Sequence, residues 1–236
     1  MIRIVAFGDV HGNRFIKLLS TSAYMLEKAD IILLAGDILN KGRVEDCKIL
    51  VDLIDTYASD TPVYGVFGNE EYDEIIETLR ETCSRIKWLY DEAVHIPNYS
   101  LSIIGTRGVL DKPTFWQRRH IPNIYSIYSR RLKRIEELIR LERRSYRYII
   151  LLTHYAPICE TLKGEPEKIW SQLGSSKVTR LVKKFRPDIV IHAHAHRSII
   201  HKTSIDGSNV YNVSLPATKK PVEIYLTRRT LEDFFF

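Results

Sequence analysis

The chain has 236 residues, 44% of them hydrophobic and 27% charged, with a net charge of +6 at pH 7; that length suits a single domain, which buries roughly 70–75% of its unfolded surface and needs no disulfide or structural zinc. The three cysteines, Cys47, Cys83 and Cys159, are odd in number and show no paired spacing, which favours a reducing compartment. No apolar run approaches the ~20 residues that cross a bilayer, and Met1 leads almost at once into a strand-like run with no signal peptide before it, so the sequence reads as cytoplasmic with no membrane partner.

Taken in chain order, the first hundred residues alternate β-like and helical runs. Ile2–Phe7 is followed by a helix from about Asn13, Ile31–Ala35 by a helix from about Val44, and Val63–Phe67 by a helix from about Tyr72. This alternation predicts βαβ units and a parallel sheet core. Ala93–Ile96 and Leu101–Ile104 follow without an intervening helix and read as antiparallel. Residues 111–147 carry eleven Lys/Arg against four Asp/Glu, a surplus of seven that exceeds the net charge of the whole chain. This segment ends in a helix with Leu132, Ile135, Leu138 and Ile139 on one face. Strand Tyr148–Leu152, an irregular stretch through Gly174, helix Ser175–Phe185 and strand Asp188–Ile191 come next. Three β-runs close the chain, near Ile199–Ile205, Asn209–Ser214 and Val222–Thr227. Neither repeat nor linker interrupts residues 1–236, which are expected to form one domain with two facing sheets.

Polar residues able to bind a cation recur where the apolar strands end. Asp9 and His11 follow the first, Asp37 the second and Asn69 the third, while His154 and the pair His194 and His196 follow two later ones. In open α/β sheets that rim is where ligand sites form. Gly8 and Gly12 allow the backbone a close approach to a bound group. The two oxygens of a carboxylate can bridge two cations, and Asp37 is the natural bridge.

These clusters resemble the signature of the calcineurin-like metallophosphoesterases: Gly-Asp-x-His, Gly-Asp-x-x-x-x-Gly, Gly-Asn-His-Asp/Glu, a lone His, then Gly-His-x-His. The counterparts here are Asp9 with His11, Asp37 with Gly42, Asn69, His154, and His194 with His196. The resemblance covers nearly the whole chain and implies an α/β fold, a four-layer αββα sandwich of two mixed β-sheets flanked by helices. It further implies one metal held by Asp9, His11, Asp37 and His196, and a second held by Asp37, Asn69, His154 and His194. A metal-activated hydroxide would then hydrolyse a phosphate ester. The mixed nitrogen and oxygen donors suit two divalent ions drawn from Mn²⁺, Fe, Zn²⁺ or Ni²⁺.

The third motif departs from the pattern. It reads Gly68-Asn69-Glu70-Glu71, so Glu70 stands where the family has the histidine that stabilises the transition state. Asp37, Asn69 and Glu70 are the expected catalytic residues. A carboxylate beside two cations stays charged at neutral pH, which favours singly charged phosphodiesters over dianionic monoesters. Ala193 replaces the usual glycine, and His192, His95, His120 and His201 match no motif. Asn13, Arg14, Arg107 and Arg197 are candidate contacts to the phosphate-ester substrate. Residues 111–147, with Phe115, Trp116, Tyr125 and Tyr128 as stacking surfaces, are a candidate nucleic-acid track; the rival reading is a solvated amphipathic helix with Glu136 and Arg140 as an i,i+4 pair. Phe234-Phe235-Phe236 can pack on the body or on a second copy of the chain in a homo-oligomer. A nuclease is the alternative enzyme, and a metal-binding interaction scaffold is the alternative from another class.

Overall fold

The computed structural model describes residues 1–227; the terminal phenylalanines lie outside them. The first half of the chain runs β1 (Ile2–Phe7), α1 (Ile16–Ser20), β2 (Ile31–Leu34), α2 (Asp46–Ala58), β3 (Val63–Val66), α3 (Ile76–Thr82), β4 (Lys87–Leu89), β5 (Glu92–Ile96), β6 (Leu101–Thr106), α4 (Phe115–His120) and α5 (Ile124–Glu142). The second half runs β7 (Tyr148–Thr153), β8 (Ala156–Pro157), β9 (Gly174–Ser175), α6 (Ser176–Phe185), β10 (Ile189–His192), β11 (Lys202–Ile205), β12 (Ser208–Asn212), α7 (Leu215–Thr218) and β13 (Val222–Leu226).

Two mixed sheets result. One has the order β13-β1-β2-β3-β4, the other β11-β12-β10-β7-β6-β5. Strands β1 to β4 are parallel, with β13 antiparallel at the edge. In the second sheet β12, β10, β7 and β6 are parallel, and β5 and β11 are antiparallel edges. Alternate side chains serve different layers because strand side chains have period two. Ile2, Ile4 and Ala6 of β1 face the space between the sheets and meet Ile150 and Leu152 of β7. Val5 and Phe7 face the other way and pack under Leu50, Ile54 and Leu79 of α2 and α3. On the far side Ile149, Leu151 and Val190 pack under Ile135, Leu138 and Ile139 of α5 and Val178 and Val182 of α6. The architecture is the αββα sandwich.

Local departures from the sequence reading have physical causes. The helix expected from Asn13 is only a 3-10 turn at Gly12–Arg14, and α1 begins at Ile16. His11 and Gly12 have φ of 49° and 58°, which is left-handed backbone that cannot enter a helix directly. Residues 111–147 form two helices, because the capping box of Thr114 and Gln117 starts α4 separately. Glu136 pairs with Lys184 of α6 and not with Arg140. Tyr128 lies on the buried face of α5 and offers no stacking surface. The cysteine reading is also corrected. Helices α2 and α3 lie side by side on the outer face of the first sheet, bringing Cys47 and Cys83 to a Cα separation of 6.4 Å, and a disulfide joins them. Only Cys159 is free. A disulfide removes the support that three thiols lent to a reducing compartment.

Candidate metal centre

The loops after β1, β2 and β3 from one sheet and β7 and β10 from the other converge at one end of the sandwich. Backbone bonds zip the first two together: Asp9 N–H donates to Gly36 O (2.9 Å) and His11 N–H to Asp37 O (3.0 Å). Four of the candidate ligand residues hold left-handed backbone: Asp9, His11, Asp37 and His194, with φ of 56°, 49°, 51° and 68°. Asp and His tolerate that region better than most residues, yet each such residue carries a strain of roughly 1 kcal/mol. Gly8 makes the close approach possible, since a Cβ there would lie 2.8 Å from the Ala193 methyl. Ala193 thus fills the space beside a glycine on the neighbouring sheet.

The side chains fall into two groups sharing one edge. Asp9, His11 and His196 bring one ligand atom each within 4.8 Å of one another, and so do Asp37, His154 and His194. Asp37 Oδ2 lies 3.8 Å from His11 Nε2 and 3.5 Å from His154 Nε2, between the groups. Asn69 Oδ1 is 3.2 Å from His154 Nε2, which is itself 3.2 Å from His194 Nδ1. His196 Nε2 is 3.4 Å from Asp9 Oδ2.

Donor chemistry tests whether cations fit. His154 Nδ1–H donates to Ala35 O at 2.8 Å, which leaves the Nε2 lone pair aimed into the cluster. This is the usual arrangement of a metal-bound imidazole. Burial pushes His154 well below the ordinary histidine range and His194 down to about 4, so both are neutral at pH 7, the form in which an imidazole can bind a cation. Burial pushes Asp9 up, but the adjacent His196, His154 and His11 outweigh it and hold the carboxyl below its usual range. Buried Asp9 Oδ1, His11 Nε2 and His196 Nε2 have no hydrogen-bond partner within the protein. Buried polar atoms are rarely left so. Three in one cluster, with a carboxylate between two imidazole groups, fit two divalent cations.

The structure adds a residue to which the sequence reading gave no role. Glu71 is fully buried, and its carboxylate accepts from the backbone N–H of Asp37 (2.9 Å), Leu39 (2.9 Å) and Gly68 (2.6 Å). It ties the second loop to the third. The signal was available, because Glu71 occupies the acidic fourth position of the Gly-Asn-His-Asp/Glu motif. Glu70 accepts from Lys41 N–H at 2.6 Å, and its carboxylate also reaches within 4.8 Å of the His11 and Asp37 ligand atoms. Asp37 Oδ1 accepts from Glu70 N–H at 2.8 Å.

Of the four proposed substrate contacts, Asn13, Arg14 and Arg197 are exposed. Arg107 is buried, donating to Asp73 Oδ1 (2.8 Å) and Glu71 O (2.6 Å). It alone of the four lines the cleft of about 830 Å³ that opens beside the centre. Asn69, Glu70, Tyr155 and His194 line this cleft together with Tyr72, Trp116, Gln117, His120, Ile121 and Ile127. His192 is satisfied in the core by Thr161 (2.7 Å) and Ala193 O (2.8 Å).

The chain belongs to the calcineurin-like phosphoesterase family, whose model matches residues 2–198. It is thus a phosphoester hydrolase of a metal-binding class. Among solved structures it is similar to phosphopantetheinyl hydrolase from Mycobacterium tuberculosis, at 14% identity and a TM-score of 0.65 over 89% of this chain and 88% of that one. A dimetal phosphatase from Danio rerio is similar at 10% identity and a TM-score of 0.60, over 96% and 93%. GAP50, the anchor in the inner membrane complex of Plasmodium, is similar at 14% identity and a TM-score of 0.59, over 92% and 72%. At these identities the likeness shows the fold. Among curated proteins no sequence match is found.

Ligand removal gives the first expected result. Ions held about 1,000-fold above their dissociation constants stabilise a folded protein by about 4 kcal/mol, and each kcal/mol moves Tm by roughly 2–4 °C at this size. Chelation should therefore lower Tm by about 10 °C, with recovery on adding Mn²⁺ or Zn²⁺, followed by differential scanning fluorimetry. An unchanged melting curve would exclude a metal-filled centre.

Proposed function

We propose that the protein is a dinuclear-metal phosphodiesterase. Asp9, His11, Asp37 and His196 would hold one ion, and Asp37, Asn69, His154 and His194 the other. When bound, such a pair supplies a water of lowered pKa and a clamp for phosphoryl oxygens. Ala35 O orients His154, and Glu70 N–H holds Asp37 by one oxygen so that the other stays between the two groups. Residues 1–236 are read as one domain built around this centre.

The single observation behind the diester preference is the Glu70 carboxylate within 4.8 Å of ligand atoms of His11 and Asp37, held there by Lys41 N–H. At ~5 Å and an effective dielectric constant of about 20, each additional substrate charge meets repulsion of roughly 3 kcal/mol before screening. A monoester dianion carries one charge more than a diester, so kcat/KM for bis-p-nitrophenyl phosphate should exceed that for p-nitrophenyl phosphate by about 10- to 100-fold. Glu70→His should narrow this gap by raising monoester turnover. Faster monoester cleavage by the unaltered protein would refute the charge argument.

The nuclease reading has less support. None of the eleven Lys/Arg of residues 111–147 is among the cleft-lining residues. Several hold the fold instead, as in Arg131 with Asp91 (2.9 Å) and Arg143 with Asp188 (3.0 Å). No helix of the described residues is long and apolar enough to cross a membrane. A cytoplasmic location belongs to this same reading.

A further inference from the structure

Among the described residues only two arginines are buried, Arg107 and Arg131. A guanidinium keeps its charge at any ordinary pH, and burying a charge is costly unless it is paired and hydrogen-bonded. Arg131 is answered by both oxygens of Asp91, at 3.1 and 2.9 Å, and fastens α5 to the body. Arg107 lies at the rim where the two sheets meet.

Its main chain belongs to the second sheet. Arg107 directly follows β6, whose last residue, Thr106, pairs with Thr153 at the end of β7. The turn is tightly set: Gly108 has a φ of 80°, and a Cβ there would overlap Thr153 Oγ1. Tyr155 N–H donates to Arg107 O at 3.1 Å, which fixes Arg107 to the loop that carries His154. The side chain crosses to the first sheet. Its Nη2 donates to Glu71 O (2.6 Å) and its Nη1 to Asp73 Oδ1 (2.8 Å), both just past Asn69. A planar fork holds two such acceptors at a fixed separation, which the point charge of a lysine does not.

One residue thus grips the two loops that meet where Asn69 Oδ1 and His154 Nε2 lie 3.2 Å apart. The position of Asp9, His11 and His196 is built differently. Among the described residues the Arg107 side chain makes no hydrogen bond to the loops of those three. Asp37 belongs to both positions, and its carbonyl accepts from His11 N–H at 3.0 Å, a support that does not pass through Arg107.

We propose that Arg107 is a positioning residue that sets the approach of Asn69 to His154, and so governs the affinity of one ion position while leaving the other nearly unchanged. The assignment rests on the two-ion reading given above; the selectivity between positions rests on the hydrogen bonds of Arg107.

Calorimetric titration of metal-stripped protein with Mn²⁺ tests it. The unaltered protein should take up two ions. Arg107→Lys should keep one near its parent affinity and weaken the other about 10- to 100-fold, as for other groups that orient ligands. Arg107→Met should do the same without the charge, and melting curves in chelator verify that both variants fold. Two further backgrounds identify the weakened position. In His154→Ala, which already lacks a donor there, adding Arg107→Lys should change Mn²⁺ binding by less than about threefold. In His196→Ala the full loss should remain. Both ions weakened alike, or neither, overturns the proposal. Unchanged Mn²⁺ affinities with a raised KM for bis-p-nitrophenyl phosphate would make Arg107 a substrate contact and overturn it as well. An unaltered protein that takes up neither Mn²⁺ nor Zn²⁺ removes the two-ion reading itself, and the assignment of Arg107 falls with it.

Discussion

Asp37→Ala is expected to lower kcat/KM for bis-p-nitrophenyl phosphate by about 10³-fold or more, equivalent to some 4 kcal/mol of transition-state stabilisation. Asp37 Oδ2 lies between His11 and His154, so one substitution takes a donor from both cation positions. Metal content should fall from two ions per chain to one or fewer. The metal-free protein should respond in the opposite sense. Burial, with Glu71 and Asp9 nearby, pushes the Asp37 carboxyl well above its usual range, so an ionised Asp37 opposes folding when no cation is present. The variant should therefore melt at or above the unaltered protein in chelator, and below it in saturating metal. Two retained ions with turnover within tenfold of normal would remove Asp37 from its proposed role.

The second large effect lies one step from the metals. Glu71→Ala strands three buried N–H groups, those of Asp37, Leu39 and Gly68. An unsatisfied buried donor costs about 1–3 kcal/mol, so a loss of roughly 3–6 kcal/mol and a fall in Tm of about 10 °C or more are expected. The fall should persist in chelator, because the bonds are internal to the protein. Glu71→Gln keeps one carbonyl oxygen as acceptor and turns the other position into a donor, so it should recover part of the loss. Metal affinity should drop about 10- to 100-fold in either variant, as for other groups that orient ligands. A Glu71→Ala protein melting within 2 °C of its parent would show that water replaces the carboxylate without difficulty.

The contrast between Asp37 and Glu71 shows what could be read from the chain alone. Strands such as Ile2–Phe7 and Val63–Val66 are legible because apolar runs end abruptly at Gly-Asp or Gly-Asn, which marks both the strand end and the loop. The family order of those loops carried the four-layer fold. Glu71 was legible only as a second acid in a motif, since nothing local says that a carboxylate will face three backbone donors from loops over thirty residues apart. The Cys47–Cys83 bond was hidden for a similar reason: helix packing, not spacing, brings the two together. The cleft wall was partly visible. Trp116 stood out as an aromatic in a basic stretch, but the association of those charges with nucleic acid lost part of its support once Arg131 and Arg143 proved to be tied into the fold.

The proposed ligands reach from Asp9 near one end of the chain to His196 near the other, and they come from loops of both sheets. During synthesis the first three loops emerge long before the histidines that complete either ion position. A nascent or truncated product ending before His194 can offer Asp9, His11 and Asp37, but lacks a donor in each group. The ions would therefore be acquired late, by a chain whose two sheets have already docked. From then on they would fasten one sheet to the other, so that spontaneous release of metal and separation of the sheets become a single slow event.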